Sequence, residues 1–414
     1  MGALAIESPT ATRRAPDALA PPPGNPRFPL FDGLRAIAAL SIVVTHCSGF
    51  TGFNTGNPLG PWTARMDLGV ALFFVISGFL LYRPFLAARF EGRPSPGVLA
   101  YARRRLLRIV PAYWAALTIL GATVHLTGVF GPQWWAYYGF LQIYSNDWIL
   151  GGIGPAWSLC VEMSFYVALP LIALAMARAQ RGRPRAQMVR IEVGFLGTIA
   201  AASLVMRTIV QARGGHSVIP NTLAGNLDWF AAGMALALAS VVTRGREHET
   251  PVVRVIQDRA WVPWLGAAAV FALLGSPLLG LPRRFPGAFS GGQWLAEHVL
   301  YITVGLLLAL PAVFGEPYRG RIRRLLGHPL LAWLGLVSYG IFLWHASLLV
   351  DVFHGASGLI PWTRFISSLL VTTAAAVGCA AASYYLLERP LLRFKDRRRR
   401  SEPVQPAPAP ATAG

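Results

Sequence analysis

The stretch that decides the fold is residues 28–50, FPLFDGLRAIAALSIVVTHCSGF, which is long and apolar enough to cross a lipid bilayer as one helix. Two ionisable residues, Arg35 and His46, lie inside it, eleven positions apart. At about 1.5 Å of rise per residue, roughly 16 Å of helix separates them, about half the hydrocarbon thickness. Because ionisable residues are costly inside a membrane, this pair is a candidate functional site by default.

The composition places the chain among helical membrane proteins. Hydrophobic residues make up 54% of the 414 residues and charged residues 13%, and the mean hydropathy is +0.48. A soluble domain carries about 25% charged residues. We therefore predict an all-α, polytopic membrane protein with about ten transmembrane helices. Their predicted ranges are 28–50, 67–88, 105–127, 157–177, 191–210, 222–243, 261–281, 292–314, 329–350 and 363–387.

The placement of the basic residues predicts the orientation. A net charge of +19 is compatible with a nucleic-acid partner, but the arginines lie in short segments between apolar spans. Alternate segments hold 30 of the 37 Lys and Arg residues, which places both termini in the cytoplasm. We therefore predict a multi-pass protein of the cytoplasmic (inner) cell membrane, with membrane lipids around it and no nucleic acid as a partner.

The chain divides into three predicted regions. Residues 1–27 are a disordered cytoplasmic N-terminus without the apolar core of a signal peptide, residues 28–393 are the transmembrane domain, and residues 394–414 are a basic, Pro/Ala-rich cytoplasmic tail. Within the domain, residues 134–144 (WWAYYGFLQIY) are apolar and aromatic but too short to span a bilayer. We predict an interfacial or re-entrant segment there, on the outer side.

The predicted orientation brings ionisable residues of three helices to one depth near the outer face. They are His46 in the first span, Glu162 in the fourth and His345 in the ninth, with Asp67 and Asp351 on the same side. A single histidine in a membrane is often a satisfied hydrogen-bond partner between helices. Three such groups at a matched depth favour a functional site.

A basic cluster is predicted at the inner face, below Arg35. Arg105 and Arg108 lie three residues apart at the start of the third span, so they share a helix face. Their planar guanidinium groups suit bidentate binding of phosphate, and a phosphorylated ligand is the natural partner. We interpret Arg103 and Arg104 only as part of the basic flanking segment that sets the orientation of the third span in the membrane.

The remaining polar and small residues in the spans have structural interpretations. Asp32 either pairs with Arg35 or caps the first helix. The others are interpreted as packing or hydrogen-bonded residues: His125, His298, Cys47, Cys160, Ser77 and Gly78.

Six segments, in their order along the chain, resemble signatures of the acyltransferase 3 family of integral-membrane acyltransferases. The first, FDGLRAIAALSIVVTHC, contains an arginine followed after ten residues by a histidine. The next three are GVALFFVISGFLLYRP, ARRRLLRIVPAYW with its Arg-x-x-Arg element, and PAWSLCVEMSFY with its Trp-Ser-Leu-x-x-Glu element. The last two are SYGIFLWH and LERPLLRF, and the resemblance covers about residues 28–393.

The resemblance implies a ten-helix fold that transfers an acyl group, with acetyl as the first candidate, from cytoplasmic acyl-CoA to a hydroxyl. The acceptor would be a glycan, a glycolipid or a glycosylated metabolite, often on the outer side. Relatives with a fused extracytoplasmic domain exist, and we expect the membrane module alone here. Residue by residue, the motifs imply catalytic roles for His46, Glu162 and Arg35, donor binding by Arg105, Arg108 and Arg35, and substrate contacts at Tyr339, His345, Trp157 and Ser158. No metal is expected.

The resulting mechanistic hypothesis has His46 as the general base on the acceptor hydroxyl, because the reference pKa of histidine, about 6.5, suits proton transfer near neutrality. Glu162 would orient His46 or accept its proton. Two alternatives stay open. One is an acyl-carrier role for Cys47 or Cys160, and the other is a transporter or flippase of a polar lipid or sugar without group transfer, although no inverted repeat is visible.

Overall fold

The computed structural model describes residues 28–214, 217–245, 250–283, 289–355 and 360–392, with residues 351–355 and 361 described by their backbone alone. The predicted terminal regions, 1–27 and 394–414, lie outside the described residues. Every regular element in the described ranges is helical.

The α-helices are α1 (Leu30–Phe50), α2 (Phe53–Gly56), α3 (Gly60–Ala64), α4 (Gly69–Phe90), α5 (Val98–Thr123), α6 (Trp134–Tyr138), α7 (Trp157–Ala179), α8 (Arg185–Ala212), α9 (Leu223–Val242), α10 (Pro251–Asp258), α11 (Trp261–Gly275), α12 (Gly291–Val313), α13 (Arg321–Leu326), α14 (Pro329–Gly355) and α15 (Pro361–Ser383).

The fold class predicted from the sequence is confirmed. Within the described ranges, nine helices are long and apolar enough to cross a membrane. The seventh predicted span, residues 261–281, is a shorter helix, because α11 has 15 residues and rises only about 22 Å. It ends at Gly275. The next residue, Ser276, has an extended backbone, as sterics favour for a residue before proline, and a 3-10 turn, Pro277–Leu279, follows.

The aromatic segment at residues 134–144 forms no spanning helix, as predicted. It contains the five-residue helix α6 and the 3-10 turn Gln142–Tyr144. Two side chains of α5 hold it: the Tyr113 hydroxyl donates to the Tyr137 carbonyl at 3.0 Å, and the Trp114 indole donates to the Tyr138 carbonyl at 2.9 Å. The segment is therefore fixed against α5 rather than threaded through the bundle.

Helix α1 lies between α4 and α14, and small residues set both contacts. Gly335 of α14 faces the Asp32 carbonyl so closely that a Cβ would have no room, and Gly69 of α4 meets the Ala38 carbonyl in the same way. Helix α14 packs in turn against α15, and α4 packs against α9. These backbone contacts fix the register of α1, the helix that carries both Arg35 and His46.

Two acidic side chains deep in the bundle are satisfied by structural partners. Glu192 of α8 accepts hydrogen bonds from Tyr82, Gln180 and Arg89. Asp228 of α9 faces a ring nitrogen of His298 at 2.7 Å, and His298 is the histidine that the sequence indicated as structural. Buried charges that are paired in this way hold helices together rather than offering free binding groups.

Candidate functional site

Two polar cavities lie along the same helices, toward opposite ends of α1. The first, which we call the arginine cavity, has a volume of about 630 Å³. Its polar lining residues are Asp32, Arg35, Ser77, Arg104, Arg105, Arg108, Ser158, Glu162, Tyr166, Ser338, Tyr339, Tyr384 and Glu388. The second, the histidine cavity, has a volume of about 670 Å³. Its polar and aromatic lining includes Thr45, His46, Asn54, Thr55, Arg65, Asp67, Trp157, Arg283 and Glu297.

The cations of the arginine cavity differ in how they are paired. Arg35 donates to the Asp32 carboxylate, three residues earlier, at 2.8 Å, so Asp32 is the ion-pair partner of Arg35. In the part of the chain that the structure describes, Arg105 and Arg108 form no hydrogen bond or ion pair. The Arg105 guanidinium instead lies over the Tyr166 ring, 5.9 Å from its centroid. The guanidinium groups of Arg105 and Arg108 therefore line this cavity with N–H donors that have no hydrogen-bond acceptor among the described residues.

Glu162 lines the arginine cavity and not the histidine cavity. Its carboxylate accepts hydrogen bonds from the Ser77 hydroxyl and, at 2.7 Å, from the Tyr166 hydroxyl. Helix α7 begins at Trp157, which lines the histidine cavity, and Glu162 lies five residues, or about 7.5 Å, further along. The structure therefore places Glu162 and His46, which the sequence predicted at one depth, in the linings of two different cavities.

The two histidines predicted at one depth do meet. The rings of His46 on α1 and His345 on α14 have centroids 5.0 Å apart, and His345 Nε2 lies 3.1 Å from His46 Nδ1. His345 is fully buried. His46 lines the histidine cavity. The close packing of α1 on α14 is what makes this contact possible.

The partners of these rings assign the positions of the protons. His345 Nδ1 lies 3.1 Å from the Ile341 carbonyl and 2.9 Å from the Phe342 carbonyl, and carbonyls only accept, so this nitrogen carries the proton. In the neutral ring, His345 Nε2 is then an acceptor, and His46 Nδ1 must be the donor to it. His46 Nδ1 also faces the Ile42 carbonyl at 2.9 Å, which again requires a donor. The lone pair of the neutral His46 ring is therefore on Nε2.

Besides His46, four charged residues line the histidine cavity: Arg65, Asp67 and Glu297 are bonded to neighbouring side chains, and Arg283 is exposed. Arg65 and Glu297 form an ion pair at 2.5 Å, and the Tyr301 hydroxyl donates to Asp67. Arg65 and Glu297 are both buried. The histidine cavity thus combines two guanidinium and two carboxylate groups with amide and hydroxyl groups, beside the aromatic side chains of Phe50, Trp157 and Phe342. Such a surface suits a polyhydroxylated, uncharged ligand better than a polyanion.

The other predicted substrate contacts are divided between the cavities. Ser158 and Tyr339 line the arginine cavity, where the Tyr339 hydroxyl donates to the Ile109 carbonyl at 2.9 Å, and Trp157 lines the histidine cavity. Cys47 and Cys160 are buried free thiols and line neither cavity. Among the described residues, no group of three or more His, Cys, Asp or Glu side chains is arranged to hold a metal ion.

The sequence interpretation missed several residues that line the cavities. Ser77 was assigned to packing, and Arg104 to topology alone. Tyr166, Glu297 and Glu388 were not singled out. A signal existed for two of them: Glu297 is an acid inside a predicted span, and Tyr166 lies one helical turn after Glu162. Glu388 belongs to a π-helical turn, Tyr384–Glu388, an irregularity that is frequent at functional sites and that the sequence pattern does not reveal.

This fold and these cavities define a polytopic helical membrane protein with a cationic site and a histidine site on one set of helices. A family model described as an acyltransferase domain, Acyl_transf_3, matches residues 29–386, and the chain belongs to this acyltransferase 3 family.

The curated relatives are distant and longer. The chain is 24% identical over 380 residues to the protein called "Putative O-acetyltransferase SACOL0978" of Staphylococcus aureus strain COL, covering 88% of this chain and 57% of that protein. It is 24% identical over 395 residues to the O-acetyltransferase OatA of S. aureus strain NCTC 8325, covering 89% of this chain and 58% of OatA. The chain thus spans somewhat more than half the length of these relatives. No solved structure matches it.

Proposed function

We propose that this protein is a membrane O-acyltransferase that uses acyl-CoA, with acetyl-CoA as the first candidate, to acylate a hydroxyl of a glycan, a glycolipid or a glycosylated metabolite. Membership of the acyltransferase family and the O-acetyltransferase relatives support the reaction class. The single observation that carries the assignment of the two substrates is the contrast between the cavities. Among the described residues, the guanidinium groups of Arg105 and Arg108 in one cavity have no hydrogen-bond or ion-pair partner, whereas the other cavity contains His46 beside the Arg65–Glu297 ion pair.

The donor belongs in the arginine cavity. Acyl-CoA carries its phosphates at one end and its thioester at the end of a long, flexible arm. Arg105 and Arg108, at the start of α5, would bind phosphate oxygens through charge-assisted hydrogen bonds. Arg35, held by Asp32, lies further along the bundle and would orient the arm. The thioester would then point toward His46.

The acceptor belongs in the histidine cavity, where His46 Nε2 would take the proton of the acceptor hydroxyl. The hydroxyl oxygen attacks the thioester carbonyl carbon, a C–O bond forms, and the C–S bond breaks. The departing CoA thiolate takes the proton back from His46, so the ring returns to its starting state. His345 acts as a positioning residue, because with the Ile42 carbonyl it holds the His46 proton on Nδ1 and leaves Nε2 as the base.

The sidedness of the reaction rests on the arginine distribution. With both termini in the cytoplasm of the inner (cytoplasmic) membrane, the arginine cavity faces the pool of acyl-CoA, and the histidine cavity faces the outer side. The acceptor would then be acylated near the outer face. A cysteine accessibility experiment on loop residues of each side in intact cells tests this orientation.

The function is tested by following the acyl group. The purified protein in lipid nanodiscs is incubated with radiolabelled acetyl-CoA and an extract of cell-envelope glycans and metabolites, and the label is traced by mass spectrometry. We expect an acetyl mass covalently bound to a hydroxylated product, and its absence in the His46→Ala variant. Labelled product that forms equally with His46→Ala contradicts the mechanism. Movement of an unmodified lipid or sugar across the membrane, without a new bond, would favour the transporter alternative.

A further inference from the structure

Two side chains form the wall between the arginine cavity and the histidine cavity. Among the described lining residues, Val70 and Phe342 alone belong to both cavities. Val70 lies in the first turn of α4, and Phe342 lies in the middle of α14. On α7 the lining changes from one cavity to the other between neighbouring residues, because Trp157 lines the histidine cavity and Ser158 lines the arginine cavity.

We propose that Val70 and Phe342 form a partition that the acyl group must enter to reach His46, and that the size of this opening limits the donor to short acyl groups. The inference rests on the proposed function and adds a determinant of donor specificity to it. The nucleotide and most of the arm stay in the arginine cavity, since the phosphate-binding arginines lie there. Only the acyl end approaches the histidine cavity, and bulky acyl chains meet the Phe342 ring.

The partition is held on both sides by close packing. A Cβ at Gly69, next to Val70, would meet the Ala38 carbonyl and the Ser41 hydroxyl, so α4 approaches α1 closely at this point. Phe342 is 8% exposed, and its ring centroid lies 6.0 Å from that of His345. Because Phe342 is buried, its ring can turn only within the free space of the cavities, so its bulk acts as a size limit.

Phe342 also links the partition to the positioning of His46. Its backbone carbonyl accepts the hydrogen bond from His345 Nδ1, which fixes the tautomer of the histidine pair. A side-chain substitution leaves this carbonyl in place. The variant Phe342→Ala therefore enlarges the opening without removing the hydrogen bond that orients the base, which makes it a suitable probe.

The test follows the position of the donor rather than the product, because the natural acceptor is unidentified. The probe is hexanoyl-CoA with a photoreactive diazirine at the end of its acyl chain, crosslinked to the protein in lipid nanodiscs and located by mass spectrometry of peptides. In the wild type, we expect crosslinks on α4 and α14 at the partition and within the arginine cavity. In Phe342→Ala, we expect crosslinks to reach Ile42, Thr45 or His46.

The matched control is Phe73→Ala, because Phe73 lines the arginine cavity and not the histidine cavity. The same loss of volume there should leave the crosslinks outside the histidine cavity. Release of CoA in the presence of the extract of cell-envelope glycans and metabolites, which supplies the acceptor hydroxyl, gives a second readout. The rate with hexanoyl-CoA relative to acetyl-CoA should rise about tenfold or more in Phe342→Ala, the scale of discrimination set by a methylene in an apolar pocket, and not in Phe73→Ala. If Phe342→Ala does not fold, Phe342→Leu is the milder form of the same change.

The outcomes separate this inference from the proposed function. If every variant shows crosslinks in the arginine cavity and Phe342→Ala has the same pattern as the wild type, the partition is overturned. The proposed donor site is then still supported. Wild-type crosslinks already within the histidine cavity also overturn it. Crosslinks that avoid the arginine cavity altogether overturn the donor site, and the partition with it.

Discussion

The two cavities are nearly equal in volume, about 630 and 670 Å³, yet they differ in how their charges are satisfied. In the arginine cavity, Arg105 and Arg108 form no hydrogen bond or ion pair with any residue that the structure describes. In the histidine cavity, Arg65 is paired with Glu297, and Asp67 is bonded to Tyr301. Volume therefore does not distinguish the sites. Unsatisfied cations attract a polyanion, whereas satisfied polar groups suit a neutral, hydroxylated ligand.

The same helices produce both environments. Helix α1 contributes Arg35 to one cavity and His46 to the other, and α14 contributes Tyr339 to one and Phe342 to both. Position along the helix axis, rather than choice of helix, thus decides the chemistry. We therefore expect substitutions in the histidine cavity to change mainly kcat, and substitutions in the arginine cavity to change mainly the KM for acyl-CoA. The following variants test this expectation.

The largest effect is expected for the base. His46→Ala removes the ring nitrogen that would take the acceptor proton, and general-base catalysis contributes roughly 10²–10⁴-fold, so kcat should fall by at least about 100-fold. Steady-state assays in nanodiscs measure this, with acyl-CoA binding checked by titration. The control is His125→Ala, an exposed histidine that lines neither cavity. Retained activity of well-folded His46→Ala would remove the histidine cavity from the chemistry.

A smaller effect, on the KM for acyl-CoA rather than on kcat, is expected for the two arginines proposed to bind the acyl donor. Each of Arg105→Ala and Arg108→Ala should raise the KM for acyl-CoA about 10- to 100-fold, the scale of one hydrogen bond to a charged group, with a much smaller change in kcat. Arg103→Ala is the matched control, since Arg103 is an exposed arginine of the same helix that does not line the cavity. An unchanged KM in both variants would show that phosphate binds elsewhere.

The histidine pair is probed by comparing two variants of His345. His345→Leu removes one of the two acceptors of the His46 Nδ1 proton, the other being the Ile42 carbonyl, and we expect kcat to fall about tenfold, the scale of one hydrogen bond, with the KM for acyl-CoA unchanged. His345→Gln offers an amide oxygen to the same proton and should recover part of the loss. A purely packing role predicts no such rescue, and equal kcat values for the two variants would argue against positioning.

The smallest change is expected for Glu162. Its effect on KM or on kcat distinguishes a role beside the donor arginines from a role as partner of His46. Glu162→Gln removes a negative charge near Arg105 and keeps an acceptor for Ser77 and Tyr166. The KM for acyl-CoA should therefore fall about threefold, as expected for a screened interaction between charges. A 100-fold loss of kcat at constant KM would instead restore the role as partner of His46.

The predictable part of this protein follows from local patterns. Apolar length predicted the spans, except that Pro277 shortens α11, and an arginine pair three residues apart predicted a shared face that lines one cavity. The sequence did not reveal that Glu162 lines the arginine cavity and not the histidine cavity, because the cavity that a residue lines depends on helices from other parts of the chain. That information is absent from any single span.

The sequence by itself determined that Arg35 and His46 stand about 16 Å apart on one helix, because the rise of an α-helix is fixed by its backbone hydrogen bonds. It also determined an all-helical membrane fold, since an apolar chain must satisfy its backbone within each span. Only the tertiary structure decided what each residue meets. Contacts between glycines and carbonyls seat α1 against α14, and that seating pairs His46 with His345, leaves Glu162 with the arginines and places Phe342 between the two cavities. Such contacts depend on the positions of side chains from distant parts of the chain, which no local pattern encodes.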